Sequence, residues 1–284
     1  MNAIDCLVNV ELGGGKPPEW MVRVKEDYFK GGSSFFHRPE LSELLEDMDA
    51  NGIERAILMS KITNPEDRAR RFAEERPDRF ALGVGGLDLL RPVPTLRALE
   101  SFVRDHPVAY ATVGPSFWGD GMYPPSDAVY YPLYAKCAEL ELPLCVNTGI
   151  PGPPLPAEVQ DPIHLDRVCI RFPELKLCMI HGADPWWDTA MRMVQKYQNL
   201  RIMTSAWSPK RLPPRFLEFI AKRGKDKVIF GTDSPVLSME RCTSEIAALD
   251  LPEDVKAAWL RDNAASFFFG ADSADGGDSG SNGG

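Results

Sequence analysis

Short apolar segments recur along the chain, and a longer stretch with helical periodicity follows each of them. The segments are brief and rich in Val, Ile and Leu, which is typical of strands that are buried on both faces. The pattern therefore predicts eight strands, at Ala3–Val10, Arg55–Ser60, Arg79–Asp88, Val108–Pro115, Pro143–Gly149, Leu175–Gly182, Leu200–Trp207 and Lys227–Pro235.

The intervening segments place their apolar residues on one side of a helix. In Glu40–Asn51, three leucines and Met48 form a single stripe, and Gly52 ends the helix. Asn64 is predicted to cap the next helix, with Pro65 at its first position. Two further helices are predicted at Tyr130–Glu141 and Asp161–Phe172.

Strict alternation of strands and helices requires parallel strands with the helices packed outside. Eight such units in 284 residues fit a single-domain (β/α)₈ barrel, the TIM barrel. The alternative is an open doubly wound sheet, which normally has a glycine-rich turn directly after its first strand. Here Gly13-Gly14-Gly15 follows only after a polar interval. We assign the barrel to residues 1–270 and expect residues 271–284, which are Gly, Ser, Asp, Asn and Ala only, to be disordered.

Composition and charge exclude several functions. The chain has 41 acidic and 32 basic residues, and its net charge of −9 disfavours binding to nucleic acid or to an anionic membrane. No apolar run approaches the roughly 20 residues that span a bilayer, and no signal peptide is visible. The six cysteines form no C-x-x-C pair, as in reduced proteins. We expect a cytoplasmic protein that acts on a small molecule.

Polar side chains stand where four of the predicted strands end. In a TIM barrel these ends meet at the C-terminal rim, which is where catalytic residues lie. Side chains alternate along a strand, so Leu7 is expected to face the same side as the polar residue that closes the first strand, and Cys6 the opposite side. The four strand-end residues are Asn9, Asn147, His181 and Asp233.

Several motifs resemble the amidohydrolase-related family, and the resemblance extends over about residues 3 to 270. That family contains metal-dependent hydrolases and aromatic-acid decarboxylases of the aminocarboxymuconate-semialdehyde type. The resemblance implies a TIM barrel with its active site at the C-terminal rim. The motifs are Ile4-Asp5-Cys6, Asn147-Thr148-Gly149-Ile150-Pro151, His181-Gly182-Ala183-Asp184-Pro185, Phe230-Gly231-Thr232-Asp233-Ser234-Pro235 and Asp262-Asn263-Ala264-Ala265.

The family's metal site combines an H-x-H pair on the first strand, a His on the fifth or sixth strand, and an Asp on the eighth. In this chain Leu7 and Asn9 occupy the H-x-H positions and Asn147 the position on the fifth strand, so that only His181 and Asp233 match. Catalytic zinc normally takes three ligands from His, Cys and carboxylate side chains. We therefore expect no cofactor. The alternative is one divalent metal ion at His181 and Asp233.

Without a metal, Asp233 is the candidate general base, and His181 can orient the substrate or protonate a leaving group. Asn9 and Asn147 are expected to bind a carbonyl or oxyanion through their amide groups. A lid is predicted in Glu11–Pro39, a long loop that carries several aromatic residues.

The rim loops indicate the type of ligand. Trp186 is expected to contact a flat or apolar group, and Lys210 and Arg211 a carboxylate. We predict an amidohydrolase-like hydrolase or lyase that acts on a small, carboxylated, cyclic or aromatic-like catabolic intermediate. The alternatives are a non-catalytic barrel that binds a ligand or a partner protein, and a residual mononuclear metal hydrolase or decarboxylase. A homodimer is expected by analogy with related barrels.

Overall fold

A computed structural model describes residues 2–12, 17–64, 66–117 and 122–270, apart from the side chains of residues 33 and 34. Within these ranges the strands are β1, Ala3–Val8; β2, Ile53–Lys61; β3, Phe80–Gly85; β4, Val108–Val113; β5, Leu144–Asn147; β6, Leu177–Ile180; β7, Leu200–Met203; and β8, Val228–Ile229. They form one eight-stranded sheet in sequence order, and the neighbouring strands are parallel. The predicted TIM barrel is confirmed. The tail at 271–284 lies outside the described residues.

Helices connect the strands and cover the outside of the barrel. The α-helices are α1, Glu19–Arg23; α2, Leu41–Ala50; α3, Arg68–Glu75; α4, Pro92–Asp105; α5, Tyr131–Glu139; α6, Asp166–Arg171; α7, Trp187–Lys196; α8, Pro214–Ala221; α9, Met239–Ala247; α10, Glu253–Ala257; and α11, Asn263–Phe268. π-Helical turns lie at Val24–Phe29 and Ala258–Asp262. Over the described ranges, none of these helices has the length and apolar character that crossing a bilayer requires.

The predicted strands are all present, but most end earlier than predicted. The eighth was predicted to reach Pro235 and stops at Ile229. Beyond that point the Thr232 N–H is donated to the Asp5 carboxylate at 2.9 Å, and Asp233 adopts the left-handed conformation with φ of 63°. The chain therefore leaves the ladder in a segment that contains Gly231, Asp233 and Pro235, residue types that are rare inside strands.

The helix at Glu40–Asn51 is confirmed as α2, whereas the predicted start of the next helix is wrong. α3 begins at Arg68, and Asp67 caps it by accepting the N–H of Ala69 at 2.8 Å. Asn64 instead accepts the N–H of Glu66 at 3.2 Å, in the turn before the helix. Pro65 lies outside the described residues. The buried carboxylate of Asp67 also accepts a hydrogen bond from the Ser60 hydroxyl at 2.9 Å. This bond to β2 holds Asp67 in place at the start of the helix.

Two hydrophobic clusters form the core, one between the strands and the helices and the other inside the barrel. The inner cluster includes Cys6 and Leu7 together, contrary to the expectation that they face opposite sides. The pairing of β1 with β2 shifts register between Asp5 and Val8, and this irregularity breaks the alternation of side chains. The other cysteines of the inner cluster are Cys145 and Cys178.

Side chains fill the centre of the barrel, and a helix packs against its N-terminal end. Tyr110 is fully buried, and its hydroxyl donates to the carbonyl oxygen of Cys6 at 2.8 Å. Gly83 leaves room for this ring, because a Cβ at that position would lie 2.4 Å from Tyr110 Cε2. Phe268 of α11 packs against Tyr110 in a tilted arrangement, with a centroid distance of 5.2 Å and an interplanar angle of 45°. α11 thus covers the N-terminal ends of the strands, where Lys176, just before β6, donates to its backbone at 3.4 Å.

A buried carboxylate joins the last strand to the first. Asp5 is fully buried and accepts the Thr232 N–H at 2.9 Å, the Thr232 hydroxyl at 2.6 Å and the N–H of Leu7 at 3.3 Å. β8 has only two residues, so these bonds, with the backbone bond from Asp233 N–H to the Leu7 carbonyl at 2.9 Å, supplement its short ladder. Asp5 therefore helps to fix the position of the turn that carries Asp233.

Candidate active site

Three of the four predicted strand-end residues meet in one cavity at the C-terminal end of the barrel. Asn147 ends β5, His181 directly follows β6, and Asp233 lies in the turn after β8. All three line a cavity of about 330 Å³. Since catalytic residues of TIM barrels lie at this end of the strands, the cavity is the candidate active site.

Asn9 lies behind Asp233 rather than on the cavity wall. Its Nδ2 donates to Asp233 Oδ1 at 2.8 Å and to the carbonyl oxygen of Ser234 at 3.2 Å. An asparagine amide has two N–H donors, and both are used within the protein. In the structure the Asn9 amide thus holds the Asp233 carboxylate, whereas the sequence analysis expected it to bind the substrate.

Only one of the three binding residues predicted in the rim loops lines the cavity. Arg211 lines the cavity, whereas Trp186 and Lys210 are not among its lining residues. Trp186 lies at the N-cap of α7, and the Lys210 ammonium is paired with Glu245 at 3.1 Å. Glu245 lies far along the chain on α9, so the sequence around Lys210 did not reveal this partner.

A second cavity arginine, Arg241 on α9, was missed by the sequence analysis. Its Nε donates to Glu245 Oε1 at 3.0 Å. Burial alone would raise the pKa of Glu245, but hydrogen bonds from Ser208, Arg241 and Lys210 lower it to about 2. Within the described residues, no side chain forms a hydrogen bond or ion pair with the Arg211 guanidinium. The spacing of four between Arg241 and Glu245 could have indicated this ion pair, but it gave no signal that Arg241 reaches the cavity.

The environment of Asp233 raises the pKa of its carboxyl group above the value in water. Burial raises its pKa from 3.8 to about 7, the hydrogen bond from Asn9 acts in the opposite direction, and the nearby Asp5 carboxylate raises it further. Near neutral pH the group is therefore present in both forms. A carboxylate with a pKa near the working pH is well suited to general base catalysis.

The environment of His181 has the opposite effect on its ring. Burial lowers the pKa from 6.5 to about 4, and a backbone hydrogen bond with Ser205 acts against this change. The imidazole is therefore neutral at pH 7. Its Nδ1 lies 3.1 Å from the hydroxyl of Ser205, a fully buried residue that the sequence analysis did not single out.

The backbone of the cavity rim is unusual at three adjacent strand ends. His181, Ala206 and Asp233 have positive φ angles of 67°, 62° and 63°. Residues with a Cβ adopt this conformation at a cost of roughly 1–2 kcal/mol each. The turns are held by backbone bonds between neighbouring strand ends, such as Ala206 N–H to the Thr232 carbonyl at 3.2 Å. This local strain turns the chain sharply at the residues that face the cavity.

Aromatic side chains form much of the remaining wall. Tyr28 and Phe29 belong to a π-helical turn in the long loop after β1, which was predicted to be a lid. Phe117 lies beyond β4 and Trp207 beyond β7. The cavity is therefore lined on several sides by flat apolar surfaces, with the polar groups concentrated at the strand ends.

The donor set of the cavity does not fit a catalytic metal site. In the part of the chain that the structure describes, no three His, Cys, Asp or Glu side chains are grouped as a metal ion requires. Leu7 is buried in the barrel interior, and the Asn9 amide is bound to Asp233. Asn147 offers only a neutral oxygen, and His181 and Asp233 alone lack the third strong ligand of zinc enzymes.

Solved structures share this fold. An uncharacterized TIM-barrel protein from Bordetella bronchiseptica has a TM-score of 0.79 and 21% identity, over 94% of this chain and 98% of that one. For 2,6-dihydroxybenzoate decarboxylase from Rhizobium the TM-score is 0.69, with 18% identity over 94% and 98% of the two chains. For 5-carboxyvanillate decarboxylase from Sphingomonas paucimobilis it is 0.66, with 18% identity over 94% and 98%.

None of the curated proteins matches the sequence. A family model described as Amidohydrolase matches residues 4–270, almost the whole barrel. The match includes the strand ends that carry Asn147, His181 and Asp233, and it agrees with the resemblance of the sequence motifs. The chain therefore belongs to the amidohydrolase family.

Proposed function

We propose that this protein hydrolyses a small cyclic ester that carries a carboxylate, without a metal ion. One observation carries the proposal: Asp233, with a pKa raised by burial to about 7, shares a cavity with a neutral imidazole, that of His181. A pair of groups whose environments move their pKa values in opposite directions is typical of acid–base sites.

Asp233 is the general base in this proposal. Its carboxylate removes a proton from water as the water oxygen attacks the ester carbonyl carbon, which gives a tetrahedral oxyanion. The bond from that carbon to the ring oxygen then breaks, and the proton held by Asp233 passes to the departing oxygen. The ring opens to a hydroxy acid, and Asp233 returns to its charged form.

The oxyanion is stabilised by hydrogen-bond donors at the neighbouring strand ends. His181 and Asn147 line the same cavity as Asp233, and a neutral imidazole or a side-chain amide can donate N–H to an oxygen. Removal of one such donor from an enzyme typically costs about 10²–10³ in rate. Both donors are on rigid strand ends, which favours a preorganised site.

The two arginines of the cavity supply the site for the substrate carboxylate. Arg211 has no acidic partner among the described residues, and Arg241 is held by Glu245. A guanidinium binds a carboxylate through paired N–H donors. The decarboxylases named above act on aromatic carboxylates, which supports a flat acid as the substrate in this proposal.

A cyclic ester fits this set of groups better than an amide or a carboxylic acid to be decarboxylated. An amide has a poor leaving group, so that a carboxylate base and neutral donors give less help. Decarboxylation needs an electron sink for the developing carbanion, and the described residues of the cavity include none. Hydrolysis of an ester needs only a base and oxyanion donors.

The test uses purified protein treated with a chelator, with its metal content measured by elemental analysis. We expect turnover of a carboxylated aromatic or pyranone-type lactone, slower turnover of its methyl ester, and no release of CO₂ from 2,6-dihydroxybenzoate. Stoichiometric metal together with loss of activity on chelation would overturn metal independence. Binding of the lactones without turnover would instead favour a barrel that only binds its ligand.

A further inference from the structure

The His181 ring is held from behind by one buried residue, Ser205. Ser205 lies just beyond β7 and is fully buried. Its Oγ accepts the backbone N–H of His181 at 3.0 Å and lies 3.1 Å from Nδ1 of the same residue. One hydroxyl therefore contacts both the main chain and the ring of His181.

The two hydroxyl contacts favour one of the two tautomers of the neutral ring. A serine hydroxyl has one proton and two lone pairs. One lone pair of Ser205 accepts the His181 backbone N–H. If Nδ1 also donated to this oxygen, the Ser205 proton would be buried without an acceptor among the described hydrogen bonds, which is costly. If Ser205 donates to Nδ1, every group in the contact is paired.

We propose that Ser205 is a positioning residue that holds neutral His181 in the tautomer with its proton on Nε2. Nε2 is on the edge of the ring away from Ser205, and His181 lines the cavity. His181 then presents an N–H donor to the substrate carbonyl oxygen and leaves proton transfer to Asp233. The role of His181 toward the substrate rests on the proposed function, whereas the tautomer of its ring does not.

The main chain of His181 is held on both sides, which supports a fixed ring orientation. Its N–H is bound by Ser205, and its carbonyl oxygen accepts from Trp207 Nε1 at 2.9 Å. Its φ of 67° is sparsely populated for a residue with a Cβ. Burial lowers the pKa of the ring to about 4, so near pH 7 the imidazole is neutral and carries its proton on one of two nitrogens.

The tautomer is measured directly by NMR of protein labelled with ¹⁵N at its histidine rings. The chain has four histidines, and the signals of His181 are those that disappear in His181→Asn. Near neutral pH we expect an unprotonated, pyridine-type shift at Nδ1 and a protonated, pyrrole-type shift at Nε2. A protonated Nδ1, or averaged shifts at both nitrogens, would overturn the inference.

Substitutions separate the role of the hydroxyl from a general loss of structure. We expect Ser205→Ala to move both His181 shifts toward the average of the two tautomers, and Ser205→Thr to keep the native shifts. Ser126→Ala is the matched control, because Ser126 Oγ lies 3.5 Å from Nδ1 of the surface His164, and it should leave His181 unchanged. Unaltered His181 shifts in Ser205→Ala would refute the positioning role.

The two proposals fail separately. The tautomer is measured without substrate, so it stands or falls whether or not any lactone is hydrolysed. If lactone hydrolysis is found and Nδ1 carries the proton, only the role of Ser205 is rejected. If Ser205→Ala does not fold, the shifts of the unsubstituted protein still decide the matter.

Discussion

Asn9 Nδ2 lies 2.8 Å from Asp233 Oδ1, so an amide just after the first strand supports the candidate base in the turn after the last strand. This hydrogen bond stabilises the charged carboxylate and acts against the burial that raises its pKa. We expect Asn9→Ala to raise the pKa of Asp233 above about 7. Loss of one hydrogen bond of about 1 kcal/mol corresponds to a rise of about 0.7 pH units. The measurement is a ¹³C titration of the Asp233 carboxyl carbon.

Asn51 offers a matched control for that substitution. Its Nδ2 donates to Asp47 Oδ1 at 2.9 Å on the exposed side of α2. Asn51→Ala removes a bond of the same type and should leave the titration of Asp233 unchanged. A pKa of Asp233 that does not rise in Asn9→Ala would contradict the assigned role of Asn9.

Asp233 is expected to destabilise the fold at high pH. Its pKa in the folded protein is about 7 against an ordinary value of 3.8, so the folded state binds more protons than the unfolded state between these values. Stability from this group is therefore present below pH 3.8 and is lost as the pH rises toward 7. We expect Asp233→Asn to be more stable than the parent at pH 8, by about 1–4 kcal/mol, with a smaller gain at pH 5.

Thermal melts of both proteins at the two pH values test this expectation. Asn tolerates the left-handed conformation of position 233 as well as Asp does, so backbone strain should not mask the effect. Lactone hydrolysis should fall by about 10²–10⁴-fold in the same variant. In the parent, kcat/KM should decline as the pH falls below about 7. A pH-independent difference in stability would show that Asp233 is not desolvated.

The eight strands and the barrel could be predicted because buried parallel strands are short apolar segments with a strong pattern. The ends of the strands and the helix caps were harder to predict, because they depend on residues that are distant in the sequence. Thr232 follows β8 and bonds Asp5, and Asp67 rather than Asn64 caps α3. The position of Asn147 and His181 at the C-terminal rim could be predicted because Asn147 ends β5 and His181 directly follows β6. Cys6 was placed on the wrong face because a register shift in β1 has no signal in the sequence.

The rim loops could be predicted only in part for a similar reason. Lys210 and Arg211 are adjacent and alike in sequence, but Glu245 on α9 pairs with Lys210 and leaves Arg211 on the cavity. Arg241 reaches the cavity from a helix, whereas the residues predicted from the sequence lie at strand ends and in loops. Which of several nearby cations reaches a ligand is decided by the packing of that helix.

Arg211 should determine the preference for acids. We expect Arg211→Ala to raise KM for a carboxylated lactone by about 10–100-fold, as for the loss of a hydrogen bond to a charged group, and to leave KM for its methyl ester nearly unchanged. Steady-state kinetics with the two substrates make the comparison. Arg215→Ala is the control. Arg215 forms an ion pair with Asp188 at 2.7 Å, and neither residue lines the cavity. Equal losses for acid and ester would refute carboxylate binding by Arg211.

Asp5 should contribute to stability through its hydrogen bonds more than through its charge. Asp5→Ala leaves the Thr232 hydroxyl and two N–H groups without their acceptor, and we expect a loss of about 2–5 kcal/mol. Asp5→Asn keeps one acceptor oxygen and removes a carboxyl whose pKa burial raises to about 6, so its cost should be much smaller. Urea unfolding near neutral pH compares the two. A similar loss for both variants would show that the charge matters.

The helix at the floor of the barrel restricts the movement of small molecules. Among the described residues, Tyr110 and Phe268 of α11 pack against each other within the buried cluster that fills the barrel interior. In the proposed reaction, substrate and product therefore both use the cavity at the C-terminal end, whose lining includes Tyr28. We therefore expect the ring-opened hydroxy acid to inhibit hydrolysis of the lactone competitively, because it would occupy the same cavity.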